Sequence, residues 1–432
     1  MCRLACIALL LASSAGMSAQ SAVDPDLILA RAKARLLADL ARMPRYTCVE
    51  TVTRNNYSPP LRWHSSRSCA EIEAERDKRQ HQPKPKNWDR LRLDVAIGDQ
   101  GEIHSWVGAP RFEEGTVAEL AGSGTLGSGD FGPFVGAILK VATVKFKEEK
   151  VINGRHVLEY SYDVPLSVSK YQVFDSSRSN WFITAYSGTF LLDRDEPDLL
   201  QLIVRTADLR PETGKCQAIN EVEYGRVPIH GSDVLIPKET RLWVIGRAGE
   251  EALNLTSYSN CREYSSKSVL RFETSEASGS STSRPSSVLS STFPPGLNFR
   301  WRVITPIDSD TAAAGDPVEA ILQSSIRDQH GNVLAPAGAH IHGRLVQFAN
   351  VGGFFELALK FESIELNGST VPFNVALASS DKWSGIRLHG AKATDLVPAA
   401  AQFVFYRDHL KLTQLESSGR TATPKEKASK NP

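Results

Sequence analysis

After residue 22 the chain has no apolar run approaching the roughly 20 residues that a membrane-spanning helix needs. A helical anchor in that stretch is therefore excluded. It also lacks a dominant charge. Fifty Lys and Arg face 49 Asp and Glu, a net charge of +1, so nothing draws the whole molecule to nucleic acid or an anionic membrane. No Cys-x-x-Cys pair occurs among the six cysteines, which removes the usual zinc spacing. No Gly-x-Ser-x-Gly occurs either, so the nucleophile elbow of serine hydrolases is missing. No catalytic constellation takes their place. The expectation is a protein that is not an enzyme and needs no cofactor.

What is present is ordinary globular material: 41% apolar and 23% charged residues in 432, enough chain for two or three domains. The N-terminus reads as a secretory signal over 1–22. Arg3 supplies the charge, "LACIALLLASSAGM" is a short apolar core, and small residues follow it. The expected location is periplasmic or extracellular. Four cysteines then remain, Cys48, Cys69, Cys216 and Cys261, an even number that suits two disulfides in an exported chain. Of the three pairings, the sequence-local one is favoured, Cys48 with Cys69 and Cys216 with Cys261.

The segment "DPDLILARAKARLLADLARMP" reads as an amphipathic helix. Asp24 is its N-cap, Pro25 its first residue, and Leu29, Leu36, Leu37 and Leu40 recur at helical spacing. Strands follow, with Asn153-Gly154 as the tip of one hairpin, and "DFGPFVGAILK" as a second short helix between them. Residues 273–292 turn abruptly to Ser and Thr and read as a linker. A second strand-rich unit spans 293–415, with hairpin tips at Asn367-Gly368 and around Gly331. A polar tail, 416–432, is expected to be disordered. The fold class is thus mainly β: an α+β N-terminal unit over 23–272 with one or two helices, and a C-terminal antiparallel barrel or sandwich.

Several fragments invite a chemical reading. His340 and His342 share one strand face, but no third ligand is fixed by spacing, and Pro336-Ala337-Gly338 accounts for the stretch as a turn. They are read as strand residues rather than metal ligands. "GSGTLG" at 122–127 has the glycines of a dinucleotide loop without the buried strand before it. It reads as a mobile loop, gate-like ahead of a short apolar helix. The basic run 76–92 carries seven basic and two acidic residues and could meet anionic lipid; a solvated loop is the favoured reading. "LDRDEPD" at 192–198 lacks the calcium-loop spacing and reads as a hairpin turn.

Two resemblances add to this. The helix before "YTCVETVTR", the helical plug "DFGPFVGAIL", and the pair "YSGTFLLDRDEPDLLQLIVRTADL" and "EVEYGRVPIHGSDVLIPKETRLWV" resemble, in their order, the periplasmic lipoprotein-carrier (LolA/LolB-like) half-barrel superfamily. The basic insert and the cysteines depart from it. The resemblance implies a curved antiparallel sheet wrapped on helices, with an apolar concavity for acyl chains. Leu36, Leu40, Phe131, Phe134, Val135 and Ile138 are its candidate lining. In the second unit "AAAGDPVEAIL", "GNVLAPAGAHIHGRLV" and "LALKFESIELNGSTVPFNVAL" resemble the β-barrel domain of the conjugation and type IV secretion outer-membrane core subunit. That resemblance implies ring assembly, although the long apolar antenna of those subunits is missing. The expected function is binding or carrying a lipid or lipoprotein-like ligand. The alternative is an envelope scaffold that docks on a partner protein or a second copy through its C-terminal unit. Nucleic acid and a transmembrane segment are not expected.

Overall fold

The computed structural model describes residues 24–59, 67–79, 83–98, 101–109, 127, 131–175, 180–264, 293–377 and 401–422. The expected signal (1–22), the linker (273–292), most of the Gly-rich loop and the end of the tail lie outside them. The described protein is mainly β with three helices, and its large sheet is antiparallel and does not close into a barrel. Among the described residues no helix is long and apolar enough to cross a membrane.

Helix α1 (Pro25–Ala41) starts where the sequence places it: the Asp24 carboxylate accepts from the Asp26 N–H, and Pro25 opens the first turn. Helix α2 (Cys69–Asp77) begins with a reciprocal Ser68/Glu71 capping box, and α3 spans Gly132–Val141. The strands of the first unit are β1 (Tyr46–Tyr57), β2 (Asn87–Gly98), β3 (Gly101–Trp106), β4 (Thr143–Ile152), β5 (Arg155–Val164), β6 (Gln172–Asp175), β7 (Asn180–Ile183), β8 (Tyr186–Asp193), β9 (Leu199–Thr206), β10 (Lys215–Ile229), β11 (Ser232–Gly246) and β12 (Glu251–Glu263). Apart from the small β6–β7 hairpin, they pair in the order β3-β2-β1-β12-β11-β10-β9-β8-β5-β4. Asn153-Gly154 and His230-Gly231 take the two consecutive positive φ values of a tight hairpin turn. Gly188 is required on β8, because a Cβ there would sit 1.8 Å from the Ile203 carbonyl oxygen.

The second unit contains β13 (Asn298–Val303), β14 (Ile307–Asp308), β15 (Pro317–Leu322), β16 (Ile326–Arg327), β17 (Val333–Ala335), β18 (His340–Val351), β19 (Phe354–Leu366), β20 (Ser369–Pro372), β21 (Val375–Leu377), β22 (Ala401–Tyr406), β23 (Lys411–Leu412) and β24 (Leu415–Thr421). Its main strands pair β21-β24-β13-β15-β18-β19, and β19 carries β22 and β20 at successive stretches of its other edge. Trp301, Phe348, Phe355, Phe361 and Phe373 fill its core. Strand β24 runs past the boundary expected at 415, so 416–421 is ordered strand and not tail. Phe299 to Val303 supply the partner edge that the local sequence cannot reveal.

The two units share strand pairing. The edge of β2 beyond β3 takes residues 349–351 of β18, and Leu91 bridges to Ala314 between them. Trp88 packs on Phe348 and Phe355 with centroids 5.9 and 5.8 Å away. This corrects the reading of 76–92 as a solvated loop. Arg76 and Arg79 close on buried Glu251, residues 87–92 are strand, and Arg90 and Arg92 bind carbonyls of 309–312.

The disulfides correct the local pairing. They are Cys48–Cys261 and Cys69–Cys216, 213 and 147 residues apart in sequence. Strand β1 pairs with β12, which brings Cys48 to Cys261, and α2 packs Ile72 on Ile219 and Ile245 of β10 and β11, which brings Cys69 to Cys216. Two such bridges are compatible with export.

Candidate functional site

Helices α1 and α3 lie on the sheet face formed by alternate residues of β5, β8, β9 and β10, including Tyr160, Phe190, Leu202 and Val222. The helices approach each other closely. A Cβ on Gly132 or Gly136 would lie within 3 Å of the Leu40 side chain, so both glycines admit Leu40 into the α1–α3 seam. Tyr160 donates to the Pro25 carbonyl at 2.7 Å and fixes the start of α1 on the sheet. Burial pushes its phenol up to about 12, with the nearby Asp26 and Asp24 charges adding to the shift.

Between helices and sheet is a cleft with about 20 Å³ of free volume, room for a water and not for an acyl chain. Its floor is Phe190, Leu192, Leu202 and Leu235; its walls are Leu29 and Leu36 of α1 and Val135, Ile138 and Leu139 of α3. Its rim is charged, with Lys33, Asp198 and Arg226. Of the expected lining, Leu36, Val135 and Ile138 face this cleft. Leu40 is in the helix seam. Phe134 lies outside the lining, against Tyr171 and Tyr186. Phe131 belongs to a neighbouring cluster, edge-on to Tyr46 and Tyr258. The sequence reading missed the floor and rim. Alternation on β8 and β9 could have pointed to the floor. No local signal links Arg226 to Asp39, 187 residues away.

The acidic turn 192–198 divides in two. Asp193 accepts from the N–H groups of Asp195 and Glu196 and closes the β8–β9 turn. Asp198 takes Arg226 with both oxygens, at 2.6 and 2.7 Å. Arg226 also donates to Asp39 of α1 at 2.8 Å, tying that helix to β10.

His340 and His342 each pair with a glutamate from a different neighbouring strand, Glu319 on β15 and Glu365 on β19. Among the described residues, Asp308, Asp310 and His409 bring ligand atoms within 4.8 Å of one another. The Lys411 ammonium lies 3.8 Å from Asp308 and competes for that carboxylate.

A buried ion pair joins β1 and β3. Glu50 Oε2 is 3.1 Å from His104 Nε2, both nearly sealed from solvent. The Tyr258 hydroxyl donates to Glu50 Oε1 at 3.5 Å. Burial by itself would depress the imidazole, but the Glu50 carboxylate 3.1 Å away, with the Glu102 charge beside it, holds it above its ordinary value. A raised folded-state value stabilises the fold in the protonated range. That contribution is whole below the unfolded value of about 6.5 and lost as pH rises through the folded one. The stability difference between wild type and His104→Gln is therefore expected to be largest in acid and to shrink towards alkaline pH. Melting curves of both proteins from pH 5 to 9 check this; a pH-independent difference would reduce the pair to packing.

No family model and no curated protein matches the chain. Among solved structures, the crystal structure of a DUF1329 family protein from Desulfovibrio piger is similar at a TM-score of 0.27 and 11% identity, over 56% of this chain and 93% of that one. A likeness of that size assigns neither fold nor activity.

Proposed function

We propose that this is an exported, non-catalytic cell-envelope protein that binds an apolar, lipid-like ligand between its first sheet and helices α1 and α3. The observation that carries the reading is the cleft itself: an apolar floor and walls from three separate parts of the chain, ending in a charged rim. In the closed form the two helices fill the space, so an acyl chain enters by displacing one of them. Each buried methylene contributes about 0.8 kcal/mol. Ten of them supply about 8 kcal/mol, which matches micromolar affinity when the helix is easily moved. The resemblance to lipoprotein carriers points the same way. The proposed organisation is a ligand-binding unit over 23–272 and a β unit that runs from 293 to the end of β24 at 421, joined by the Ser/Thr-rich segment, in the periplasm or outside the cell.

Titration with an environment-sensitive fatty-acid probe tests this. Saturable micromolar binding is expected for the wild type. Ile138→Asp, with its fold verified by circular dichroism, should weaken it at least tenfold. No saturable binding by the wild type would leave the second reading in front: an envelope scaffold acting through its C-terminal unit on a partner protein or a second copy. That reading is favoured by the strand pairing between the units, which makes one frame of them.

A further inference from the structure

We infer that the ligand of the α1–α3 cleft carries a monoanionic head group, and that Lys33 reads it. The inference rests on the apolar-ligand reading and narrows it to a chemical class. The charges around the rim are almost all matched. Arg226 binds Asp198 and Asp39, Arg35 lies 3.3 Å from Asp198, Arg42 lies 3.7 Å from Asp39, and Asp233 sits 3.9 Å from Arg226. Three guanidinium groups thus face three carboxylates, and this set has no net charge to offer a ligand. Lys33 stands outside it. It lines the cleft and is half-buried, and none of the ion pairs among the described residues includes it.

Its place on α1 explains what it can do. Leu29 and Leu36, four residues before and three after, share its side of the helix and form the cleft wall. The lysine stem can lie along that apolar wall while the ammonium reaches the rim. An ammonium partly withdrawn from water, with no counter-charge, favours an anion that arrives with its own apolar body. An amphiphile whose chain enters between α1, α3 and the floor would leave its head at this rim. One unmatched positive charge suits one negative charge. A cationic head would meet repulsion, and a neutral head would gain nothing from Lys33.

The test uses the full chain and competition against an uncharged environment-sensitive probe. The competitors share a twelve-carbon chain and differ in the head: dodecanoate, dodecanol and dodecyltrimethylammonium. A monoanionic lysophospholipid of the same chain separates a free fatty acid from a lipid head group as the source of the anion; whichever displaces the probe at lower concentration names it. Dodecanoate is expected to displace the probe at one-tenth or less of the dodecanol concentration. Lys33→Gln should erase that advantage and leave dodecanol unchanged, and Lys33→Glu should move the preference to the cation. Equal displacement by all three heads, or a preference that survives Lys33→Gln, overturns the head-group assignment while the apolar-ligand reading stands. Failure of the probe and of every competitor to bind overturns both.

Discussion

Replacing Cys48 and Cys261 together by alanine is expected to cost about 4 kcal/mol of stability and to lower the melting temperature by roughly 10 °C. The two bridges are nested: Cys69–Cys216 closes 147 residues inside the 213 closed by Cys48–Cys261. With the inner bridge intact, the outer one restrains only the difference, about 66 residues of unfolded chain, and loop closure of that length is worth about 4 kcal/mol. The bridge also pins β1 to β12 where the register slips between Thr47 and Val49. Denaturation of the double mutant under oxidising conditions measures the loss. A change below about 1 kcal/mol would mean that the pairing of β1 with both β2 and β12 already holds that corner. Thiol titration of the unfolded wild type should find no free thiol at Cys48, Cys69, Cys216 or Cys261.

That bridge also marks where the sequence stops being informative. Local signals were readable. The Asp24 cap and Pro25 fix the start of α1 within the chain itself, and Asn153-Gly154 and Asn367-Gly368 adopt the positive φ values that Asn-Gly pairs accept cheaply. The mainly β class follows from the same evidence repeated along the chain. Pairing between distant strands left no such mark. Cys48 meets Cys261 because β12 returns beside β1 after the whole first unit has been laid down, and proximity in sequence pointed elsewhere. The basic run failed for a related reason. Arg76, Arg79, Arg90 and Arg92 look solvated by composition, but their partners, Glu251 and the carbonyls of 309–312, come from segments over 170 residues on. The candidate cleft was half legible. The stripe of the first helix contained Leu36 and the apolar segment 131–139 contained Val135 and Ile138, while the rim depends on Asp39, Asp198 and Arg226 meeting across three elements.

Gly315→Ala is expected to loosen the two units from each other, with a loss of about 3 kcal/mol or more from backbone strain and collision together. Gly315 has φ +109, a conformation that side chains rarely adopt, and an added Cβ would lie 2.0 Å from the Arg92 carbonyl oxygen and 3.1 Å from the Trp106 ring. The residue is the centre of the joint. Its N–H donates to the Leu345 carbonyl at 2.6 Å. Its own carbonyl accepts from Arg344, which also holds the Val107 carbonyl across the boundary at 2.7 Å. Next to it, Ala314 exchanges backbone hydrogen bonds with Arg90 and Arg92 of β2, and Asp316 takes the Arg92 guanidinium. Moving this loop outward would break the hydrogen bonds to β2 and withdraw Asp316 from Arg92, leaving Trp88, three residue pairs of β18, the Arg344 hydrogen bond to Val107 and the Gly352 hydrogen bond to Lys86 to hold the contact. An engineered protease site within 273–292 provides the measurement. After cleavage the wild-type fragments should still elute together from a sizing column, and the Gly315→Ala fragments should separate. Wild-type fragments that part at once would show the shared strand pairing to be too weak to make a frame, and would remove the main support of the scaffold reading. Mutant fragments that stay together would show that the loop yields to a methyl group, and that Trp88 and β18 carry the joint.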